Sequence, residues 1–194
     1  MGTIKTTNIE PIADNGTVTL GSSGDTITIP SGVTITNNGT QTGFGGTNTP
    51  AFQAKGNAEQ TGVTDNIWTK VNMNTEIFDT AGAYDHSSNY RFTPQTAGKY
   101  FVYAGMGIYG ATSDQLQIAN LGIYKNGSSF KYVVNNFNNS YPHNEAGLSI
   151  SLVMEMNGSS DYIELYARGN VLSGNVTFEP QNTIGLFGAY KIIE

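Results

Sequence analysis

The sequence predicts an all-β chain, a sandwich or jelly roll of about ten short strands. Three observations carry that expectation. From Ala51 onward, runs rich in Val, Ile, Tyr and Phe recur at short spacing and almost nothing reads as helix. Asn126-Gly127 and Asn157-Gly158 are strong hairpin cues between such runs. Pro94, Pro142 and Pro180 fall between the runs, where a missing N–H costs no ladder bond.

The first fifty residues differ in kind from the rest. GTVTLGSS (16–23), GDTITIPS (24–31) and GVTITNN (32–38) share a beat: Gly, a short alternation of Thr with Val, Ile or Leu, then a turn. That pattern predicts three very short strands with Val18, Leu20, Ile27, Ile29, Val33 and Ile35 as buried positions. Three such units bury too little surface to stand alone, so they need stacking neighbours or other chains. A two-hairpin flap on the main domain and a stalk or docking segment are the two readings. QTGFGGTNTP (41–50) reads as a linker, which divides the chain into a 1–50 segment and a 51–194 head.

The predicted strands of the head are residues 51–55, 67–73, 75–79, 90–92, 99–110, 115–127, 130–135, 146–156, 161–168, 175–179 and 183–193. Side chains alternate between the two faces of a strand. In 99–110, Tyr100, Val102, Ala104, Met106 and Ile108 share one face, while Phe101, Tyr103 and Tyr109 share the other. Strand 115–124 repeats this, with Leu116, Ile118 and Tyr124 opposed to Ala119, Leu121 and Ile123. Strand 146–156 is one-sided, and 183–193 is mixed again through Leu186, Phe187, Tyr190, Ile192 and Ile193. A sandwich has a single interior, and large apolar patches are rare on soluble monomers. The second apolar face is therefore expected to be covered by copies of the same chain, the alternative being shielding by local loops. This puts Tyr100, Phe101, Tyr103, Tyr109, Leu121, Ile123, Phe187 and Tyr190 forward as interface residues.

Composition excludes several classes. Charged residues make up 12% of the chain, and the formal net charge is −6 with the nine Lys and Arg scattered. Phosphate contacts need clustered basic residues, so nucleic acid is an unexpected partner. No cysteine is present, which rules out a disulfide framework or thiolate metal site. MGTIKTTNIEPIADNG lacks the apolar run of a signal peptide, and no stretch approaches a membrane helix. A role outside the producing cell would then follow release by lysis.

Met73, Asp79, Tyr84, Phe92, Gly98 and Tyr100 follow a pattern of hydrophobe, acid or amide, aromatic, Phe, then Gly-x-Tyr. Together with YDHSSNYRFTPQTAGKYF, NGSSDYIEL (157–165) and LFGAYKI (186–192), this resembles the C1q and tumour-necrosis-factor-like jelly rolls over residues 51–194. Met73 stands where that family usually has Phe, one extra residue lies between Tyr84 and Phe92, and Val102 and Ala104 replace further aromatics. The resemblance implies a ten-stranded jelly-roll sandwich that forms a homotrimer. The opening GTIKTTNIEP followed by GTVTLGSSGDTITIPSG is similar to openings of structural proteins of tailed bacteriophages, notably those of marine cyanobacteria. That implies a docking end, with Ile4, Ile9, Ile12, Val18 and Leu20 as candidate contacts to other virion proteins of the capsid or tail.

Little in the chain points to catalysis or cofactors. GMGIYG (105–110) satisfies G-x-G-x-x-G but lies inside a predicted strand with no helix after it, so it reads as close backbone packing. His86 and His143 each fall in a turn without a second ligand at zinc spacing. In relatives of this fold a calcium ion can sit near the threefold apex, which would draw on Asp114 or Glu145, but no dense carboxylate loop appears. No positioned nucleophile is evident. No catalytic residue, metal or cofactor is expected. The remaining candidates are binding loops: His86 and Asn89 in 85–90, and Phe137, Tyr141 and His143 in 135–144, where aromatic faces and amides suit neutral sugars of a host surface. The expected protein is a non-enzymatic trimeric fibre or spike on a virion surface. A capsid decoration protein and a surface-polysaccharide depolymerase are the alternatives.

Overall fold

A computed structural model of the chain describes residues 9, 11, 16–39, 48–137, 141–181 and 184–193. The chain divides into two units, Met1–Phe44 and Gly45–Glu194. The described residues of the larger unit form two antiparallel sheets and no helix. Among the described residues there are thirteen strands, of which three are only two residues long.

In chain order these are β1 (Ala51–Lys55), β2 (Gln60–Val63), β3 (Thr69–Lys70), β4 (Thr75–Asp79), β5 (Tyr84–Asp85), β6 (Arg91–Phe92) and β7 (Ala97–Gly110). They continue with β8 (Leu116–Lys125), β9 (Ser128–Asn136), β10 (Glu145–Asn157), β11 (Ile163–Val171), β12 (Val176–Glu179) and β13 (Leu186–Lys191). One sheet runs β2-β12-β7-β13-β1-β4, with β10 on the other side of β7. The second runs β5-β6-β11-β8-β9, with β3 beside β11. Every predicted run of the head contains a strand. The two missed strands, β2 and β5, are short polar pieces (QTGV and YD) without an alternating apolar signature.

Strand β7 organises the molecule. Its fourteen residues pair with β10 along one edge and with β13 and then β12 along the other. Tyr100, Val102, Ala104, Met106 and Ile108 point inward at 0–2% exposure, joined from β10 by Leu148, Ile150, Met154 and Met156. Facing them from the second sheet are Leu121, Ile123, Ile163, Leu165 and Ala167. The period of two therefore fixes sidedness in each of these strands.

The residues of the jelly-roll pattern turn out to be core and turn residues. Met73, Phe92 and Tyr100 are fully buried, and the Tyr84 hydroxyl donates to the Met73 carbonyl at 2.8 Å. Burial pushes the Tyr84 phenol far above its ordinary range. Asp79 accepts from the Ala81 and Tyr84 N–H groups at 3.0 and 2.7 Å, shaping the turn into β5. Gly98 has φ +137 and lies under the Lys191 side chain, whose Cε would stand 2.8 Å from an added Cβ.

Of the two hairpin cues, Asn126-Gly127 forms the two-residue loop between β8 and β9, with φ +53 and +75 as a type I′ turn requires. Asn157-Gly158 does not. The Asn157 side-chain oxygen accepts from the Ser159, Ser160 and Asp161 N–H groups, which holds a longer loop into β11.

The smaller unit corrects the sequence reading. Residues 16–38 contain no strand. Val18, Leu20, Ile27, Ile29, Val33 and Ile35, expected as buried positions, are 41–62% exposed. Ile9 is also exposed, while Ile4 and Ile12 lie outside the described residues.

Candidate functional site

The two outer faces of the sandwich are covered in different ways. On the six-stranded sheet the outward residues of β8 and β11 lie beneath an aromatic belt of the chain itself. The Trp68 indole lies against Gly122, where an added Cβ would stand 3.2 Å from the ring, and it packs near Tyr124 at 5.8 Å and Tyr132 at 5.6 Å. Tyr124 stacks on Tyr166 at 4.0 Å, and the Arg168 guanidinium lies 5.5 Å from the Trp68 ring. Glu164, almost fully buried on the same face, is paired with Lys70 at 2.5 Å. Local shielding, the alternative expectation, thus covers β8 and β11, whereas Tyr132 and Val134 on the edge strand β9 remain 55% and 51% exposed on the same face.

On the seven-stranded sheet no such belt exists among the described residues. Phe101, Tyr103 and Tyr190 form a half-buried cluster, with ring centroids 6.1 Å apart for Phe101–Tyr103 and 5.4 Å for Phe101–Tyr190. Val153, opposite Phe101 on β10, is 52% exposed, and Phe78 and Ile184 add further exposed apolar surface. Glycines let these side chains lie flat: an added Cβ on Gly188 would meet the Tyr103 ring at 2.5 Å and the Phe52 carbonyl at 2.9 Å. The Tyr103 hydroxyl donates to Gln53 Oε1 at 3.2 Å, which fixes the ring over that glycine. Gly188→Ala is expected to cost about 1–3 kcal/mol in denaturant unfolding, because the ring must leave and the backbone contact cannot. An unchanged midpoint would show that the ring has other room.

The same face carries the first two glycines of GMGIYG. Gly105 lies under Leu186 and the Ile184 carbonyl, and Gly107 under the Ile184 methyl and the Glu145 and Glu179 carboxylates. The motif therefore packs side chains closely onto backbone. Next along β7, the Tyr109 phenol is pushed up to about 12, first by burial, then by its hydrogen bond to Glu59 and by Glu179 and Glu145. Tyr100, also raised to about 12 by burial, donates to the Thr96 carbonyl at 2.8 Å. A phenol with a raised folded-state pKa keeps its full stabilising effect below its unfolded value near pH 10 and loses it as pH climbs toward about 12. Melting temperature is thus expected to be flat up to about pH 10 and to fall beyond it, in step with tyrosine ionisation seen by absorbance.

The interface residues expected from sequence divide into two groups. Phe101, Tyr103, Tyr109 and Tyr190 lie on the outer face of the seven-stranded sheet. Tyr100, Leu121, Ile123 and Phe187 are at 0% exposure inside a single chain and have no surface left for a neighbour. Their strands are apolar on both sides, and which side is inward depends on the opposing sheet.

The two candidate binding loops are not brought together. Residues 86–90 join β5 to β6 at one lateral edge of the six-stranded sheet, and the segment leaving β9 begins at the other. The Asn89 amide donates to Asp85 at 2.6 Å, and Asp85 also accepts from the Ser87, Ser88 and Asn89 N–H groups. Those bonds, led by that from Ser88, hold the Asp85 carboxyl well below the usual carboxylate range. His86 Nδ1 lies 3.5 Å from Glu76 Oε2. Across the sheet, His143 stacks on Phe137 at 4.2 Å and exchanges two backbone hydrogen bonds with Leu116, while Tyr141 is 76% exposed. A depression of about 390 Å³ near this second loop is lined by Tyr109, Gly110, Ala111, Ser113, Asn144 and Glu145. Among the described residues no three His, Asp or Glu side chains converge to hold a metal ion. Sequence reading missed the Trp68 belt, although the outward parity of Tyr124, Tyr166 and Arg168 was available as a signal.

No family profile and no curated relative matches the sequence. The fold is nonetheless shared with solved structures. Murine APRIL at pH 5.0 is similar over 73% of this chain and 98% of that one, with 9% identity and a TM-score of 0.52. Eiger TNF from S. frugiperda is similar over 73% of this chain and 91% of that one, with 10% identity and a TM-score of 0.52. At such identity the likeness concerns fold: the head is an all-β jelly roll of the tumour-necrosis-factor type.

Proposed function

We propose that the chain is a non-enzymatic structural protein of a bacteriophage particle, a homotrimer whose heads are displayed for attachment to the host surface. The observation that carries the self-assembly is the half-buried aromatic cluster on the outer face of the seven-stranded sheet, continued by exposed Val153. Phe101, Tyr103, Tyr190 and Val153 present apolar surface that a cyclic contact between three copies would remove from water. The virion setting is supported by the likeness of residues 2–11 and 16–32 to the openings of phage structural proteins.

Attachment rests on the loops. Exposed Tyr141 and the stacked Phe137–His143 pair offer ring faces to a neutral sugar, and threefold repetition turns weak contacts into avidity. The mechanism is binding without turnover.

Sedimentation of the purified chain tests the assembly: about three times the 20.7 kDa chain mass is expected, and a lone 20.7 kDa species overturns it. Locating the chain in purified particles tests the setting, since a virion protein must be found there. Binding of host-surface polysaccharide at micromolar trimer, lost in Tyr141→Ala, tests attachment. A particle-bound protein that ignores the polysaccharide is a decoration protein, and one that releases reducing ends is a depolymerase.

A further inference from the structure

Residues 16–39 contain two turns and no strand. The Ser22 carbonyl accepts from the Asp25 N–H at 3.0 Å, and the Pro30 carbonyl from the Val33 N–H at 3.2 Å. In each turn the third residue is a glycine in the left-handed region, Gly24 at φ +93 and Gly32 at φ +85, while the second, Ser23 or Ser31, has negative φ. Those signs define a type II turn. A type II turn twists against the right-handed twist of paired strands and splays them, so it is a poor hairpin connection. The segments on either side accordingly form no ladder with each other, and their backbone N–H and C=O groups have no described partner beyond the turns and local side chains.

Three further features say what completes the segment. Gly16, Gly24 and Gly32 recur at eight-residue spacing, so neighbouring copies would meet the same pattern of donors, acceptors and methyl groups. The aliphatic side chains Val18, Leu20, Ile27, Ile29, Val33 and Ile35 are all open to solvent. Asp25 is the sole charged residue between 16 and 39, and its carboxylate accepts from the Ser22 N–H at 2.6 Å. A surface with almost no charge can approach its own copy without repulsion, whereas a partner of opposite charge would find nothing to recognise.

We propose that residues 16–39 form an inter-chain β stalk, in which sister copies of the same segment supply the missing strand partners and cover the aliphatic side chains. The number three comes from the head assembly proposed above; the inter-chain pairing itself rests on the turns and exposures of this segment. It assigns Val18 and Leu20 to sister chains rather than to the particle.

Amide hydrogen exchange on the full chain, read beside its sedimentation, tests this. Amides of 26–29 and 33–36 are expected to exchange at least about a hundred-fold slower than in an unstructured peptide. The double variant Ile27→Asp and Ile29→Asp is expected to lose that protection while head amides keep theirs. A trimer whose 16–39 amides exchange at the unstructured rate overturns the stalk and leaves the head assembly standing. Protection in a monomeric chain also overturns it, since the partners would then lie within one chain. Protection that appears only when particle proteins are added overturns it in favour of a different partner. A monomer with the segment unprotected overturns the stalk and the head assembly together.

Discussion

Phe52→Ala is expected to remove about 3–5 kcal/mol of stability, a large share of the roughly 5–15 kcal/mol of a typical domain. Phe52 is fully buried on β1 and stacks on Tyr84 and Phe92, each at 4.5 Å, with an edge contact to Phe187 at 5.1 Å. Tyr84 and Phe92 belong to the six-stranded sheet, whereas Phe52 and Phe187 belong to the seven-stranded one. The ring therefore links the two layers, and its loss opens a void between them. Collapse into that void is hindered, because Tyr84 is held by its bond to the Met73 carbonyl. Each aromatic pair adds about 0.5–1.5 kcal/mol beyond area burial. The measurement is urea unfolding with the slope unchanged and the midpoint lowered. A loss below about 1 kcal/mol would mean that the cluster repacks around the gap, against the long-held geometry of the rings.

Phe101→Asp is expected to act on assembly and leave the fold alone. The side chain lies on the outer face of β7 against Tyr103 and Tyr190, outside the core cluster. If copies meet on this face, each chain loses about 1.5–3 kcal/mol of apolar burial and gains a carboxylate that must be desolvated. Summed over three copies, association weakens at least about a thousand-fold. Sedimentation should show the mass falling to 20.7 kDa at concentrations where the parent chain is assembled, with near-UV circular dichroism preserved. A variant that stays assembled would show that copies meet elsewhere. A variant that unfolds is separated from both outcomes by the milder Tyr190→Lys, whose long stem can lie along the sheet while its charge reaches water.

Much of the head is legible in its residues. The alternation in β7 and β10 places Tyr100 through Ile108 and Leu148 through Met156 correctly, because a buried sheet face tolerates no register slip. Asn126-Gly127 marks its hairpin because few other residues accept positive φ twice in succession. The segment before the head is the contrary case. Its Thr-aliphatic alternation has the period of a strand, yet a strand exists only when a partner accepts its hydrogen bonds, and the turns at Gly24 and Gly32 withhold that partner within the chain. The candidate loops show a similar limit. Asn89 and His86 read as free recognition groups, but Asp85 and Glu76 lie within reach of them.

What the amino-acid order determined by itself is that the head is a sandwich, which residues share a strand face, and that two of those faces compete to be inside. Only the tertiary structure decided that Leu121, Ile123 and Phe187 are core while Phe101, Tyr103 and Tyr190 look outward. It also decided that Trp68 lies over Gly122 on one outer sheet, while the other carries no such belt among the described residues. The reason is physical: a period of two fixes which side chains travel together, whereas the choice of side and its cover come from groups distant in the chain that meet it only on folding.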